Sequence, residues 1–280
     1  WIYRSATRPL ILFCLSGSPE MTGKISERPP ISERRFTLAT DLDGTFLGGT
    51  EEERRVLYDW IEDNRASIGL IFVTGRDPEF IMKMCRVNGL PWPEYVVGDV
   101  GTTIATVEPD GSIAPIIPLE QDIAAQWNDM GAQVRNALEN HAGLILQPTG
   151  FRYRVSYDLD VAQFDETAKT KVDALGLDWL ISDNRYFDVL PKGISKGPSI
   201  RRLIDHLGVP EQRVLCAGDT VNDLSMLASG LNAVAVGNSE PALVEQLQNM
   251  ENVHFAAAHG AAGILEAIAA LDLHDVPKES

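Results

Sequence analysis

The sequence predicts an α/β fold, a doubly wound parallel sheet of the Rossmann-like kind with an α+β unit inserted into it. Three observations predict it. Short continuous apolar runs at 36–40, 68–73, 213–217 and 231–236 read as strands buried on both faces, and segments with helical spacing alternate with them. Between 113 and 191 the pattern changes to helix, two strands, helix, two strands. Finally, the first, second and third of these apolar runs end in polar residues, at the carboxyl ends of strands where open α/β sheets gather their ligands. The expected division is a core of 36–112 and 192–280, and an insert of 113–191.

Taken in order, 1–35 reads as a disordered tail. Its apolar run at 10–15 is too short for a secretory signal, which needs roughly 7 to 15 apolar residues and a cleavage site. Residues 16–35 are rich in Ser, Gly, Pro and charge. After the strand at 36–40, Thr50 reads as the cap of a helix over 51–65 that begins with acids. Pro78 opens a helix to about 88 behind the strand at 68–73, and strands follow at 95–98 and 102–107. In the insert, 119–140 reads as one long helix, 144–147 and 151–158 as strands, 161–175 as a helix, and 178–182 with 186–190 as a hairpin around Asp183 and Asn184. The core resumes with a helix at 196–207 stopped by Gly208, a strand at 213–217, a helix at 222–228 and a strand at 231–236. Closing helices are expected at 241–248 and 260–271.

Composition excludes several classes of function. The formal net charge is -16 and the pI about 4.7, which repels nucleic acid and anionic membranes. No run approaches the ~20 apolar residues of a membrane span. Cys14, Cys85 and Cys216 have neither disulfide-framework nor zinc-site spacing, which favours a reducing, cytoplasmic setting. The expected partner is a small molecule, and oligomeric state is unreadable.

Asp41 and Asp43 close the first strand two residues apart. Alternation along an extended strand would aim both into one space, and Gly44 lets the chain turn away. Two acids held together repel unless a cation lies between them or one keeps its proton. A calcium loop would need an acid and a glycine where Thr45 and Phe46 stand. Thr74 and Gly75 end the second strand, Lys196 opens a helix, and Gly218, Asp219, Asn222 and Asp223 follow a later strand. Each has an ordinary account: Thr74 as a helix cap, Asp219 and Asp223 as acids near a helix start, Lys196 as a solvated charge. Four such accidents need not fall at the mouth of one sheet.

In this order the four stretches resemble the signature of haloacid dehalogenase superfamily phosphatases, over roughly 36–271, with the insert where the larger α/β caps of that superfamily lie. Within it the chain is most similar to sucrose-phosphate and mannosylfructose-phosphate phosphatases. The matching stretches are Arg154-Val155-Ser156-Tyr157, Asp188-Val189-Leu190-Pro191 leading to Lys196-Gly197, and 259–268. It departs from them at Gly44, where Asn is frequent, and at Gly101-Thr102-Thr103, where a Gly-Ser-Glu type of loop is usual. The second departure leaves the sugar open.

The resemblance implies Mg²⁺-dependent hydrolysis of a sugar phosphate, foremost sucrose 6-phosphate or mannosylfructose 6-phosphate. Another hexose or polyol phosphate, or a mutase reaction, are the alternatives. By the same resemblance Asp41 is the nucleophile, through an aspartyl-phosphate, and Asp43 the acid and base. Asp41, the Asp43 carbonyl and Asp219 hold the metal, with Asp223 orienting its waters. Thr74, Gly75, Lys196 and Asn222 form the phosphate-binding set, Asn222 by orienting Lys196 or the metal shell. Arg154, Tyr157, Asp188 and Lys192 on the lid are candidate sugar contacts, and a glycosyltransferase that forms the sugar phosphate is the candidate protein partner. Outside enzymes, the competing reading is a receiver-like signalling domain phosphorylated on Asp41. Receivers lack the Asp-x-Asp spacing and a large lid.

Overall fold

The computed structural model describes residues 28–277. Its first half runs β1 (Phe36–Thr40), α1 (Glu51–Asp63), β2 (Ile68–Val73), α2 (Pro78–Asn88), β3 (Tyr95–Gly98), β4 (Thr103–Val107) and β5 (Ile113–Pro115). The insert carries α3 (Ile117–Trp127), α4 (Gly131–Ala137), β6 (Leu144–Leu146), β7 (Val155–Leu159), α5 (Thr167–Ala174), β8 (Asp178–Ser182) and β9 (Tyr186–Leu190). The chain returns through α6 (Lys196–Leu207), β10 (Val214–Gly218), α7 (Leu224–Leu227), β11 (Asn232–Ala235), α8 (Pro241–Leu247), β12 (Val253–Phe255) and α9 (Gly260–Ala270).

The apolar runs pair as the sequence predicts. The core sheet has the order β12-β11-β10-β1-β2-β3-β4-β5, parallel from β12 to β3. All five residues of β1 and all six of β2 are buried, as strands covered on both faces must be. Phe36 and Leu38 face a core shared with α1, α2 and α9, while Ala39 and Ile71 face one shared with α6 and α8. The insert forms its own antiparallel sheet, β6-β7-β9-β8, whose interior joins Val155, Tyr157 and Phe187 to Val134 of α4 and Val172 of α5.

Four expectations need correction. Residues 28–35 are packed rather than free, because Ile31 is buried and Arg34 donates to the Ile68 carbonyl and to Glu94; residues 1–27 lie outside the described residues. The strand at 103–107 runs antiparallel to β3, and Ile113–Pro115, which the sequence assigned to the insert, pairs with it in the core sheet. The long helix of 119–140 is two helices, broken where Asn128 and Asp129 adopt left-handed backbone at φ 48° and 53°. Such conformations are tolerated by Asn and Asp, and helical periodicity cannot reveal them. Finally, β12 was not foreseen.

Candidate active site

Three strands of the core deliver the candidate residues to one end of the sheet. β1 ends at Thr40, and Asp41 is anchored next to it by its own N–H on the Ala217 carbonyl of β10 at 2.9 Å. Residues 42–46 then form a tight turn rather than a continued strand, with Gly44 at φ +82°. The strand alternation expected to align Asp41 and Asp43 therefore does not operate. Asp41 is buried, whereas Asp43 faces outward and accepts from Arg76 Nε at 2.8 Å. Gly44 is required twice over, since a Cβ there would stand 2.1 Å from Asp219 Oδ2.

Lys196 is fully buried at the first turn of α6, so it is not a solvated charge. Its ammonium donates to Asp41 Oδ1 at 2.7 Å, Asp223 Oδ1 at 2.6 Å and Asn222 Oδ1 at 3.0 Å. Asp223 is also fully buried, and its second oxygen accepts from the N–H groups of Asp219 and Thr220 at 3.0 and 3.1 Å, which closes the loop after β10. Asp219 accepts from the Thr45 hydroxyl at 2.7 Å. Thr74 is buried and is not the cap of α2, a task Asp77 performs by accepting from Phe80 N–H at 2.9 Å. The Thr74 hydroxyl accepts the Arg76 N–H at 3.2 Å.

The carboxylates of Asp41, Asp219 and Asp223 offer oxygens all within 4.8 Å of one another. Three buried acids facing one lysine leave two negative charges uncompensated, the charge of one divalent cation. Burial, with the neighbouring acids, pushes the Asp41 carboxyl up to about 8 despite Lys196, and that of Asp219 up to about 7. For Lys196 burial acts downward, but Asp223 and Asp41 outweigh it and hold the ammonium above its ordinary value. An all-oxygen donor set with this charge deficit suits a hard divalent cation. Asp43 stands apart from the cluster as a side chain.

Sequence reasoning missed Asn238, just beyond β11. Its amide donates to the Gly44 carbonyl at 3.0 Å and to Asp219 Oδ2 at 3.4 Å, and its Oδ1 accepts Gly260 N–H at 2.8 Å. One side chain thus ties the turn after Asp41 to Asp219 and the start of α9. Nothing in the spacing of the acids points to it.

On the insert, the four candidates separate. Arg154 and Asp188 meet at 3.1 Å, both buried, and Ser156 also donates to Asp188. Burial pushes the Asp188 carboxyl up, against Arg154 and Ser156. Tyr157 corrects the expectation: alternation on β7 turns it with Val155 into the insert's own interior, where burial pushes its phenol up to about 12. Lys192 is exposed and paired with Asp178 at 2.6 Å, an anchor for the returning chain. Arg152 and Arg154 both lie in the bend before β7 rather than alternating on a strand, and Arg152 pairs with Glu120 of α3 while Arg154 pairs with Asp188.

A parallel sheet with acids after two strands, a buried lysine between them and a separate lid is the architecture of haloacid dehalogenase-type proteins. The family model described as sucrose-6F-phosphate phosphohydrolase matches residues 34–272, and the chain belongs to that family. It is 42% identical over 231 residues to a glucosylglycerol-phosphate synthase of Pseudomonas anguilliseptica, covering 82% of this chain and 30% of that protein. It is 26% identical to a mannosylfructose-phosphate phosphatase of Agrobacterium fabrum, over 82% and 94% of the two. A putative HAD-like hydrolase of Nitrosococcus oceani is 28% identical, and the chain covers 60% of it. The chain thus spans 30% and 60% of the length of two of these relatives. In fold it is similar to the sucrose-phosphatase of Synechocystis, solved with sucrose and phosphate, at a TM-score of 0.75 and 24% identity, over 85% of this chain and 98% of that one. Among the described residues no helix is long and apolar enough to cross a membrane.

Proposed function

We propose that the protein hydrolyses the phosphate monoester of a glycosylated sugar or polyol, with Mg²⁺ as cofactor. The observation that carries this reading is the triad of Asp41, Asp219 and Asp223 around a fully buried Lys196, at the carboxyl ends of β1 and β10. Asp41 attacks phosphorus and forms an aspartyl-phosphate, which water then hydrolyses. Asp43 protonates the departing sugar oxygen and then takes a proton from that water, which requires it to leave Arg76 and turn inward. Lys196, the Thr74 hydroxyl and the Gly75 N–H hold phosphoryl oxygens, and Asn222 and Asp223 keep Lys196 aimed. Asp41, the Asp43 carbonyl, Asp219 and Asp223 would hold the Mg²⁺, which when bound neutralises the charge that otherwise keeps an anionic nucleophile from an anionic phosphate.

The lid meets the rest of the substrate. A groove of about 250 Å³ on the insert, lined in part by Gln147, Thr149, Phe151, Arg154 and Ser156, offers polar groups beside an aromatic face, as a sugar site requires. The family match and the likeness to a mannosylfructose-phosphate phosphatase support sucrose 6-phosphate and mannosylfructose 6-phosphate as the first candidate substrates. The 42% identity to a glucosylglycerol-phosphate synthase favours a second reading, a glycosyl-polyol phosphate. The same relative supports a glycosyltransferase as the source of the substrate. Phosphate release from sucrose 6-phosphate, glucosylglycerol phosphate, mannosylfructose 6-phosphate and simple hexose phosphates tests both. A preference of at least tenfold for one glycosylated substrate is expected, and equal rates on all would contradict a lid tuned to the second sugar or polyol.

A further inference from the structure

Arg154 crosses the seam between insert and core. Its side chain is nearly enclosed, at 7% exposure for the residue, with the Phe151 ring centre 3.6 Å from the guanidinium carbon. Nη1 is taken by Asp188 on the insert at 3.1 Å. Nη2 reaches the core, 3.4 Å from the Gly75 carbonyl and 3.5 Å from Asp99 Oδ1. Among the described residues, Nε is buried without a partner.

The core side of this contact is an unusual turn. Asp99, Val100 and Gly101 have φ of 53°, 60° and 101° in succession. A β-branched residue in left-handed backbone is costly and persists only where its neighbours over-determine it. They do so here. Asp99 N–H donates to Arg76 O at 3.0 Å and Val100 N–H to Thr74 O at 3.2 Å. The Thr102 and Thr103 hydroxyls donate to the Asp99 carbonyl at 2.9 Å and to Asp99 Oδ2 at 2.6 Å. Ser199 Oγ donates to the Gly101 carbonyl at 2.7 Å, and a Cβ on Gly101 would lie 2.4 Å from the Ser195 carbonyl carbon. The turn is therefore clamped between the loop of Thr74 and the start of α6, and Thr103 holds the carboxylate so that its other oxygen meets Arg154.

We infer that the Arg154–Asp99 ion pair seats the insert on the core, with the strained turn as its rigid base, so that both are positioning residues for substrates that extend beyond the phosphate. The inference rests on the reading of the insert as a sugar-facing lid. A small aryl phosphate meets only the core and does not need the pair, whereas a glycosylated phosphate does. Asp99→Asn keeps an acceptor for Thr103 but gives up the charge, and the turn survives. Arg154→Lys keeps the charge but loses the fork that lets one side chain hold Asp188 and Asp99 together.

The test has two arms. In the first, kcat and KM of Asp99→Asn are measured on p-nitrophenyl phosphate and on the best glycosylated phosphate of the panel. The expectation is a change within about threefold on the former and a loss of about 30- to 100-fold in kcat/KM on the latter, the scale of truncating one partner of a desolvated charge pair. Arg154→Lys should lose less on the glycosylated substrate than Arg154→Met. In the second arm, spin labels at Val87→Cys and Ile145→Cys in a Cys14→Ser background report the separation of core and insert without any substrate. Wild type should give a narrow distribution that broadens in Asp99→Asn and Arg154→Met. Equal losses on both substrates, or distributions that do not change, would overturn the inference. A wild type inactive on every glycosylated phosphate would defeat the functional reading, while the distance arm would still decide the seating role.

Discussion

The charge imbalance around Lys196 makes the stability of the metal-free protein depend on pH, and that dependence should vanish when a divalent cation is added. Asp41 and Asp219 hold their protons up to about 8 and about 7 in the fold, while an unfolded aspartate releases its proton near 4. The folded state therefore binds more protons than the unfolded chain between these values, and stability falls as pH rises through the window. Each pH unit is worth at most about 1.4 kcal/mol per group. From pH 6 to 8.5 the loss should reach about 2–4 kcal/mol, or roughly 5–10 °C in melting temperature for a chain of this size. Mg²⁺ bound at the acids would take the place of the protons, and a ligand at 100 times its Kd returns about 2.7 kcal/mol. Thermal melts at the two pH values, with and without Mg²⁺, should show a large rise with metal at pH 8.5 and less than about a third of it at pH 6. Asp219→Asn should flatten the metal-free profile, which separates this effect from titration of histidines. A metal shift equal at both pH values, or an Asp219→Asn profile identical to wild type, would refute the reasoning.

Three substitutions extend the account. Gly44→Ala drives a methyl group into Asp219 from a left-handed backbone, and should lower kcat/KM at least about 100-fold, by the cost of even a 1 Å misplacement; a loss under threefold would contradict the geometry. Asn238→Ala removes the anchor of both Asp219 and the Gly44 carbonyl. Outer partners of this kind are worth about 10- to 100-fold in metal affinity, so the Mg²⁺ concentration for half-maximal activity should rise by that factor, and an unchanged metal titration would exclude the role. Lys196→Met strands the Asp41 and Asp223 carboxylates without their cation, which should cost about 3–5 kcal/mol in urea denaturation and abolish turnover; a variant of wild-type stability would show that the pair is not electrostatically coupled.

Much of this was legible in the sequence because strands buried on both faces leave long apolar runs and active-site residues sit where those runs stop. Asp41, Thr74, Asp219 and Asp223 were found that way and Lys196 at the opening of a helix, and the fold places Asp41, Lys196, Asp219 and Asp223 together. What sequence could not convey was direction. Alternation puts Tyr157 on the face of Val155 and opposite Ser156, but which of the two faces is the insert's interior is decided by the packing of the whole insert, and there it is the face of Tyr157. Asp43 was expected beside Asp41 by strand alternation, but the turn at 42–46 replaces the strand. Asn238 escaped notice because its contribution comes from long-range hydrogen bonds to Gly44 and Asp219. Asp99 escaped for a related reason, since a left-handed aspartate before a valine carries no periodic signal.

The most direct test of the central claim is to trap the phosphorylated enzyme. A glycosylated phosphate is mixed with the Mg²⁺-loaded protein and quenched in acid within the first turnover, and the peptide carrying Asp41 is examined by mass spectrometry. The account predicts one phosphoryl group on Asp41 in wild type, and neither adduct nor phosphate release in Asp41→Asn. Sustained phosphate release by Asp41→Asn, or an adduct on any other residue, would contradict it.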